Sequence, residues 1–319
     1  MPNPHLPDLA VPAELAAGFG TPLTVSGPLR RPHQMLAEQS YADHASIHDG
    51  SIADDLGLAG APIEGPTHFS QFDPLLVARW GRRWFERGRI SAHFRTMCVE
   101  GDEVRATVTT LPDDPETVTI HAEKGDGTAV LSGHASVADE VDTEVRARLA
   151  RASAPDRPVI LERLSVGQRG RDTAPVTMGL DTHMGEMYPF TLRDKLDRIT
   201  ERSPFYDGPS PWGGPIVPFE MVSVLTMCTS HLAGFERREP SIGLFLDLEV
   251  RILDGPLLLD TPYTLDREIV ALGESRRTES YWTVTTVRDP DGRAVAEVLL
   301  HEGVFKESYP GYPPELLPS

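Results

Sequence analysis

Cysteine is nearly absent from this 319-residue chain: only Cys98 and Cys228 occur, each in an apolar stretch ("HFRTMCVE" and "SVLTMCTS"), and neither in a CxxC pair. That excludes a disulfide framework and suits a reducing cytoplasm with two buried thiols. Positive charge is also scarce. The 30 Lys and Arg against 48 Asp and Glu leave a formal charge of −18, which repels nucleic acid and anionic lipid. Long apolar runs are missing, since none approaches the roughly 18 residues of a membrane span. The start, "MPNPHLPDLA", has neither the basic end nor the apolar core of a signal peptide. There is no GxGxxG after a strand, no Walker A loop, no GxSxG elbow and no HExxH, so nucleotide, serine hydrolase and zincin chemistry lack support. The expectation is a soluble cytoplasmic protein.

What is present is an ordinary globular composition, 39% hydrophobic and 24% charged, on a chain long enough for a sizeable core and two domains. Two distant segments share a pattern. Gly60 to Ile63 reads "GAPI" and Gly213 to Ile216 reads "GGPI", 153 residues apart. Each opens an apolar segment of helical character, "THFSQFDPLLVARW" and "PFEMVSVLTMCTSHLAGF"; the second is apolar nearly all round, as a buried helix is. Four strand-like runs follow each helix, with turns at Gly125–Gly127 and at Asp289–Gly292. The unit of loop, helix and four strands is therefore given twice.

Residues 138–164 start charged and amphipathic and become rich in Ala, Ser and Pro, the composition of a linker. The expected organisation is an N-terminal extension at 1–19, a first domain at 20–140, a linker at 141–170, a second domain at 171–308 and a proline-rich extended tail at 309–319. The fold class is α+β. One apolar helix against a long antiparallel sheet is the hotdog arrangement, and two copies in one chain make an internal pseudo-dimer.

The chemistry concentrates between Tyr41 and Pro66, "YADHASIHDGSIADDLGLAGAPIEGP". Asp43 to His48 resembles the hydratase motif of the R-specific enoyl-CoA hydratases and MaoC-like dehydratases, in which Asp, a variable residue, Asn, Pro, an apolar residue and His follow in order. The spacing from Asp to His matches, while Ala45 and Ser46 stand where the motif has Asn and Pro. "GAPIEG" resembles the family segment that ends in a glycine at the start of the central helix, here Gly65, and "FRTMCVEGDEV" resembles the strand and turn that follow that helix. The resemblance implies a hydratase or dehydratase of enoyl or 3-hydroxyacyl thioesters, on coenzyme A or a carrier protein. It needs no metal or redox cofactor, and it implies Asp43 and His48 as the acid/base pair. A backbone N–H at Gly65, with the helix dipole behind it, would face the thioester oxygen as that oxygen gains charge.

Glu64, Thr67 and His68 adjoin this position and are candidate substrate contacts. Glu64 reads equally as an exposed helix-start residue, and a buried core histidine is the favoured reading of His68. Asp49, Asp54 and Asp55 read as helix-start or surface charges. Arg79, Arg82 and Arg83, in "RWGRRWFERGR", complement a helix C-terminus or contact coenzyme A phosphates. The loop bearing Asp181, His183 and Glu186 lacks metal-ligand spacing and reads as surface. In the second copy Leu196 and Glu201 occupy the positions of Asp43 and His48, so the pair is not repeated and the second half completes the core and shapes an acyl tunnel. Rival expectations are a hotdog thioesterase using Asp73 or Glu220, a non-catalytic hotdog binding a small acyl or aromatic ligand, and a lyase on a non-thioester metabolite. A homodimer through exposed sheet edges is also compatible.

Overall fold

The computed structural model describes residues 20–41 and 44–317. The strands are β1 (Thr24–Ser26), β2 (Ser40–Tyr41), β3 (His44–Ala45), β4 (Arg89–Phe94), β5 (Val104–Leu111), β6 (Asp114–Lys124), β7 (Ala129–Ser136), β8 (Val176–Thr177), β9 (Gly243–Ile252), β10 (Pro262–Glu274), β11 (Thr278–Arg288) and β12 (Ala294–Phe305). Both expected turns are hairpins, one between β6 and β7 and one between β11 and β12. The alternation of β-branched and polar residues in "VRATVTTL" and "TESYWTVTTVR" puts one side of each strand in the core.

Ten strands form one antiparallel sheet in the order β1-β5-β6-β7-β4-β9-β12-β11-β10-β8, and β2 pairs with β3 apart from it. The order is symmetric about its centre: the first strand after each central helix, β4 and β9, meet in the middle. Their register runs from Arg89 opposite Arg251 to His93 opposite Asp247. This seam turns two half-sheets into one.

The second central helix, Phe219–Met227, is buried at every position from Phe219 to Thr226, as its all-round apolar sequence predicts. The first is not a continuous α-helix. Gly65–Phe72 is a 3₁₀ segment, and the α-helix begins only at Asp73 and ends at Trp80. Pro74 explains the break: it has no N–H to donate to Ser70 O, which accepts from Asp73 N instead. The two central segments pack on each other, with Trp84 stacked on Phe219 at a centroid distance of 4.3 Å. A single apolar core runs through both halves, from Phe69, Phe72 and Leu76 to Met221, Leu225 and Val250.

The region read as a linker carries the helix Glu144–Ala150, capped by Thr143 Oγ1, which accepts from Arg146 N at 3.2 Å. This helix lies across the seam. Arg146 pairs with the buried Glu249 of β9, and Arg148 with the buried Asp247, which also accepts from Nδ1 of His93 and of His301. These donors hold the Asp247 carboxyl well below the usual carboxylate range despite its burial. The tail departs from expectation. Instead of lying extended on the surface it forms a 3₁₀ turn at Pro314–Leu316, and Tyr312 buries its ring and donates to Glu279 at 3.1 Å. Both cysteines are buried and free. Among the described residues no helix is long and apolar enough to cross a membrane.

Candidate active site

A cavity of about 660 Å³ is lined by both halves, and His48, Glu64, Gly65 and His68 are on its wall. That volume is in the range of small-molecule sites. His48 follows β3 in a turn where Ser46 Oγ accepts from its backbone N–H at 3.1 Å. Its Nδ1 lies 2.6 Å from Pro62 O. A carbonyl only accepts, so Nδ1 carries the proton and Nε2 keeps its lone pair. Nε2 makes no hydrogen bond among the described residues. The Pro62 carbonyl is held from two sides: Gln34 Nε2 donates to it, and the adjacent Ile63 N donates to Cys98 O at 2.7 Å. Burial pushes the His48 imidazole down to about 4, so it is neutral at pH 7.

Gly65 opens the 3₁₀ segment, followed by Pro66, which has no donor. The Gly65 N–H has no acceptor among the described residues. A Cβ at this position would stand 2.7 Å from the Phe94 ring, so only glycine lets the ring and the helix start meet. Glu64 is buried rather than exposed, beside Tyr188, and burial raises its carboxyl to about 7. His68 is fully buried, 3.4 Å from Gln71 Nε2, and lowered to about 4 by burial and by the nearby Lys195. Thr67 faces away from the cavity and accepts from Lys195 Nζ at 3.0 Å. Lys195 in turn forms a buried ion pair with Glu220 at 3.0 Å. The structure therefore gathers His48, Glu64, Gly65 and His68 in one wall, while Thr67 belongs to the packing behind it. Asp43 lies outside the described residues.

Arg79, Arg82 and Arg83 stand apart from the cavity. Arg79 donates to Pro115 O at 3.0 Å, Arg82 pairs with Glu86 at 3.1 Å beside the Trp212 ring, and Arg83 pairs with Glu116. Asp49 caps the helix Gly50–Asp55. Asp181 pairs with Arg193, and among the described residues no group of His, Cys, Asp or Glu could hold a metal ion. Of the positions matching Asp43 and His48 in the second half, Leu196 is buried in a short helix and Glu201 forms an ion pair with Arg30. Asp73 accepts from Trp84 Nε1 and Tyr206 OH, both at 2.8 Å. Asp73 and Glu220 thus have internal partners, and neither lines the cavity.

Three residues of the site carried no signal strong enough to single them out. Tyr188 and Lys195 sit in polar loop-like strings, and their burial depends on the other half of the chain. Arg267 was legible in principle. It occupies an inward slot in the alternation Tyr263, Leu265, Arg267, Ile269 along β10.

Two central helices wrapped by a seamed antiparallel sheet make this a double hotdog. Over 90% of its length the chain is similar to a putative MaoC domain protein dehydratase from Chloroflexus aurantiacus J-10-fl, 95% of which is covered, at 14% identity and a TM-score of 0.57. It is similar over 91% of its length to a conserved hypothetical protein of Mycobacterium tuberculosis, described as having a double hotdog fold and as essential for bacterial survival during infection. There 98% of the other chain is covered, at 11% identity and a TM-score of 0.58. No protein-family model matches the chain, and no curated protein is similar to it in sequence. At such identities the likeness defines the fold.

Proposed function

We propose that the protein is a hydro-lyase adding or removing water at the C2–C3 bond of an enoyl or 3-hydroxyacyl thioester. The observation that carries this reading is the pairing, on one cavity wall, of a neutral histidine with a free Nε2 and a helix-start glycine whose N–H has no acceptor. In the hydration direction His48 Nε2 takes a proton from water, and the oxygen bonds to C3. The C2=C3 electrons move toward the thioester carbonyl, whose oxygen becomes negative and accepts from Gly65 N–H. The proton gained by the imidazole, or one held by Glu64, passes to C2. Asp43, five residues before His48, is the proposed second holder of the water. Water and the thioester balance the equation by themselves, so the proposed reaction calls on no metal or redox cofactor.

The protonated fraction of Glu64 near pH 7 puts a second proton source beside the glycine. A thioesterase reading loses its proposed carboxylates, because Asp73 and Glu220 are committed to Trp84, Tyr206 and Lys195. The test is an absorbance screen at the conjugated-enoyl band with a panel of enoyl-CoA esters, run beside a thiol-trapping assay. Loss of the enoyl band without thiol release is the expected result. Thiol release, or no change with any ester, overturns the reading.

A further inference from the structure

Arg267 points inward from β10 and lines the cavity, yet it is only 5% exposed. Its Nη2 donates to Thr226 O at 2.6 Å and to Thr229 Oγ1 at 2.8 Å, which fastens it to the end of the second central helix. Those contacts use one nitrogen. Nε and Nη1 have no partner, and among the described residues no carboxylate lies within salt-bridge distance of the guanidinium. Other acids of the cavity are engaged elsewhere: Glu302 and Glu239 bind Arg237 at 2.6 and 2.8 Å, Glu236 binds Arg163 at 3.0 Å, and burial raises Glu64 so that it is partly protonated. A buried cation with free donors and no counter-charge is costly unless a ligand completes it. Capping a helix explains one edge of the fork and leaves the rest aimed at nothing.

Two hydroxyls share this wall. Thr285 stands directly across the ladder from Arg267, and Thr283 lies two residues along, opposite Ile269. Both line the cavity and neither has a hydrogen-bond partner among the described residues. We propose that Arg267, Thr283 and Thr285 form a carboxylate-binding subsite, so that the substrate carries a free carboxylate in addition to its reacting thioester. A carboxylate fits better than a phosphate. The site supplies one positive charge out of solvent, which matches one negative charge and undercompensates the nearly two of a phosphomonoester.

The proposal rests on the thioester reading only for the identity of the second group, and the test separates the two. Succinyl-, glutaryl-, adipyl- and suberyl-CoA are titrated against native protein, each beside the methyl-ended acyl-CoA of equal carbon number. These saturated esters bind without reacting. At one chain length the carboxyl-ended ester should bind about 10- to 100-fold more tightly, and Arg267→Met should abolish that preference while leaving the methyl-ended affinity within a factor of a few. Equal affinities at every length, or a preference that survives Arg267→Met, overturn the subsite; so does recognition of the coenzyme phosphates alone, which favours both esters equally. If Arg267→Met does not fold by circular dichroism, the Thr283→Val/Thr285→Val variant keeps the helix contacts and decides, an undiminished preference counting against the proposal. If no ester binds, free adipate is the remaining probe. Thermal stabilisation of the native protein by adipate, absent in Arg267→Met, keeps the subsite and removes the thioester reading; no stabilisation removes the subsite.

Discussion

His48 is the base of the proposed reaction. Its Nδ1–H is committed to Pro62 O, and burial keeps the ring neutral down to about pH 4. His48→Ala should lower kcat/KM for an enoyl thioester by about 10²- to 10⁴-fold, the usual contribution of a positioned base, with the circular dichroism spectrum unchanged; retention of most activity contradicts the assignment. In the native protein the acid limb of activity should fall near pH 4 rather than near 6.5. The same lowered pKa adds stability that is complete above the unfolded value of about 6.5 and is lost as the pH falls towards 4. Glu64 gives the opposite limb. Its carboxyl is raised to about 7, so if its proton is used, activity declines as pH rises through that value, and Glu64→Gln should erase this alkaline limb. A pH–rate profile of the variant checks it. A motif spacing and a repeated helix start singled out His48 and Gly65 in the sequence, and the structure puts both on one cavity wall. The sequence said little of Glu64's environment, since Tyr188 and Lys195 lie more than a hundred residues away and approach only through the fold.

At the scale of elements, the eight long strands and both turns were readable from alternation and turn chemistry, because each signal is local. The first central helix was only half legible. Its apolar pattern marks a helix, yet Pro74 divides it into a 3₁₀ and an α part. The tail was misread for a related reason: its prolines suggest an extended chain, and only the pocket that receives Tyr312 decides otherwise. Between the helices, Lys195 and Glu220 form a pair that is 3% and 1% exposed. Lys195→Met leaves a buried carboxylate without its cation and should cost about 3–5 kcal/mol, read from urea denaturation. The double variant Lys195→Met/Glu220→Leu should recover most of that loss. If the single variant is as stable as the native protein, the pair does not stabilise the fold.

For the whole molecule, the duplicated order of elements let the sequence announce two hotdogs but not how they join. The seam between β4 and β9 depends on contacts 150 or more residues apart, including His93 with Asp247, and no local pattern encodes them. A shared core predicts that the two halves unfold together. Tryptophan fluorescence, which reports Trp80 and Trp84 in the first half and Trp212 and Trp282 in the second, and far-ultraviolet circular dichroism should give one coincident urea transition; separated midpoints would show two independent units.

The seam also has a kinetic meaning. The intervening chain keeps β9 at an effective concentration of the order of millimolar beside β4, so pairing of the halves does not depend on protein concentration. Five residue pairs of one ladder, with the shared core behind them, therefore join the halves. The cavity that the two halves build stays assembled at any protein concentration, and each half is free to diverge without having to work as a copy of its neighbour.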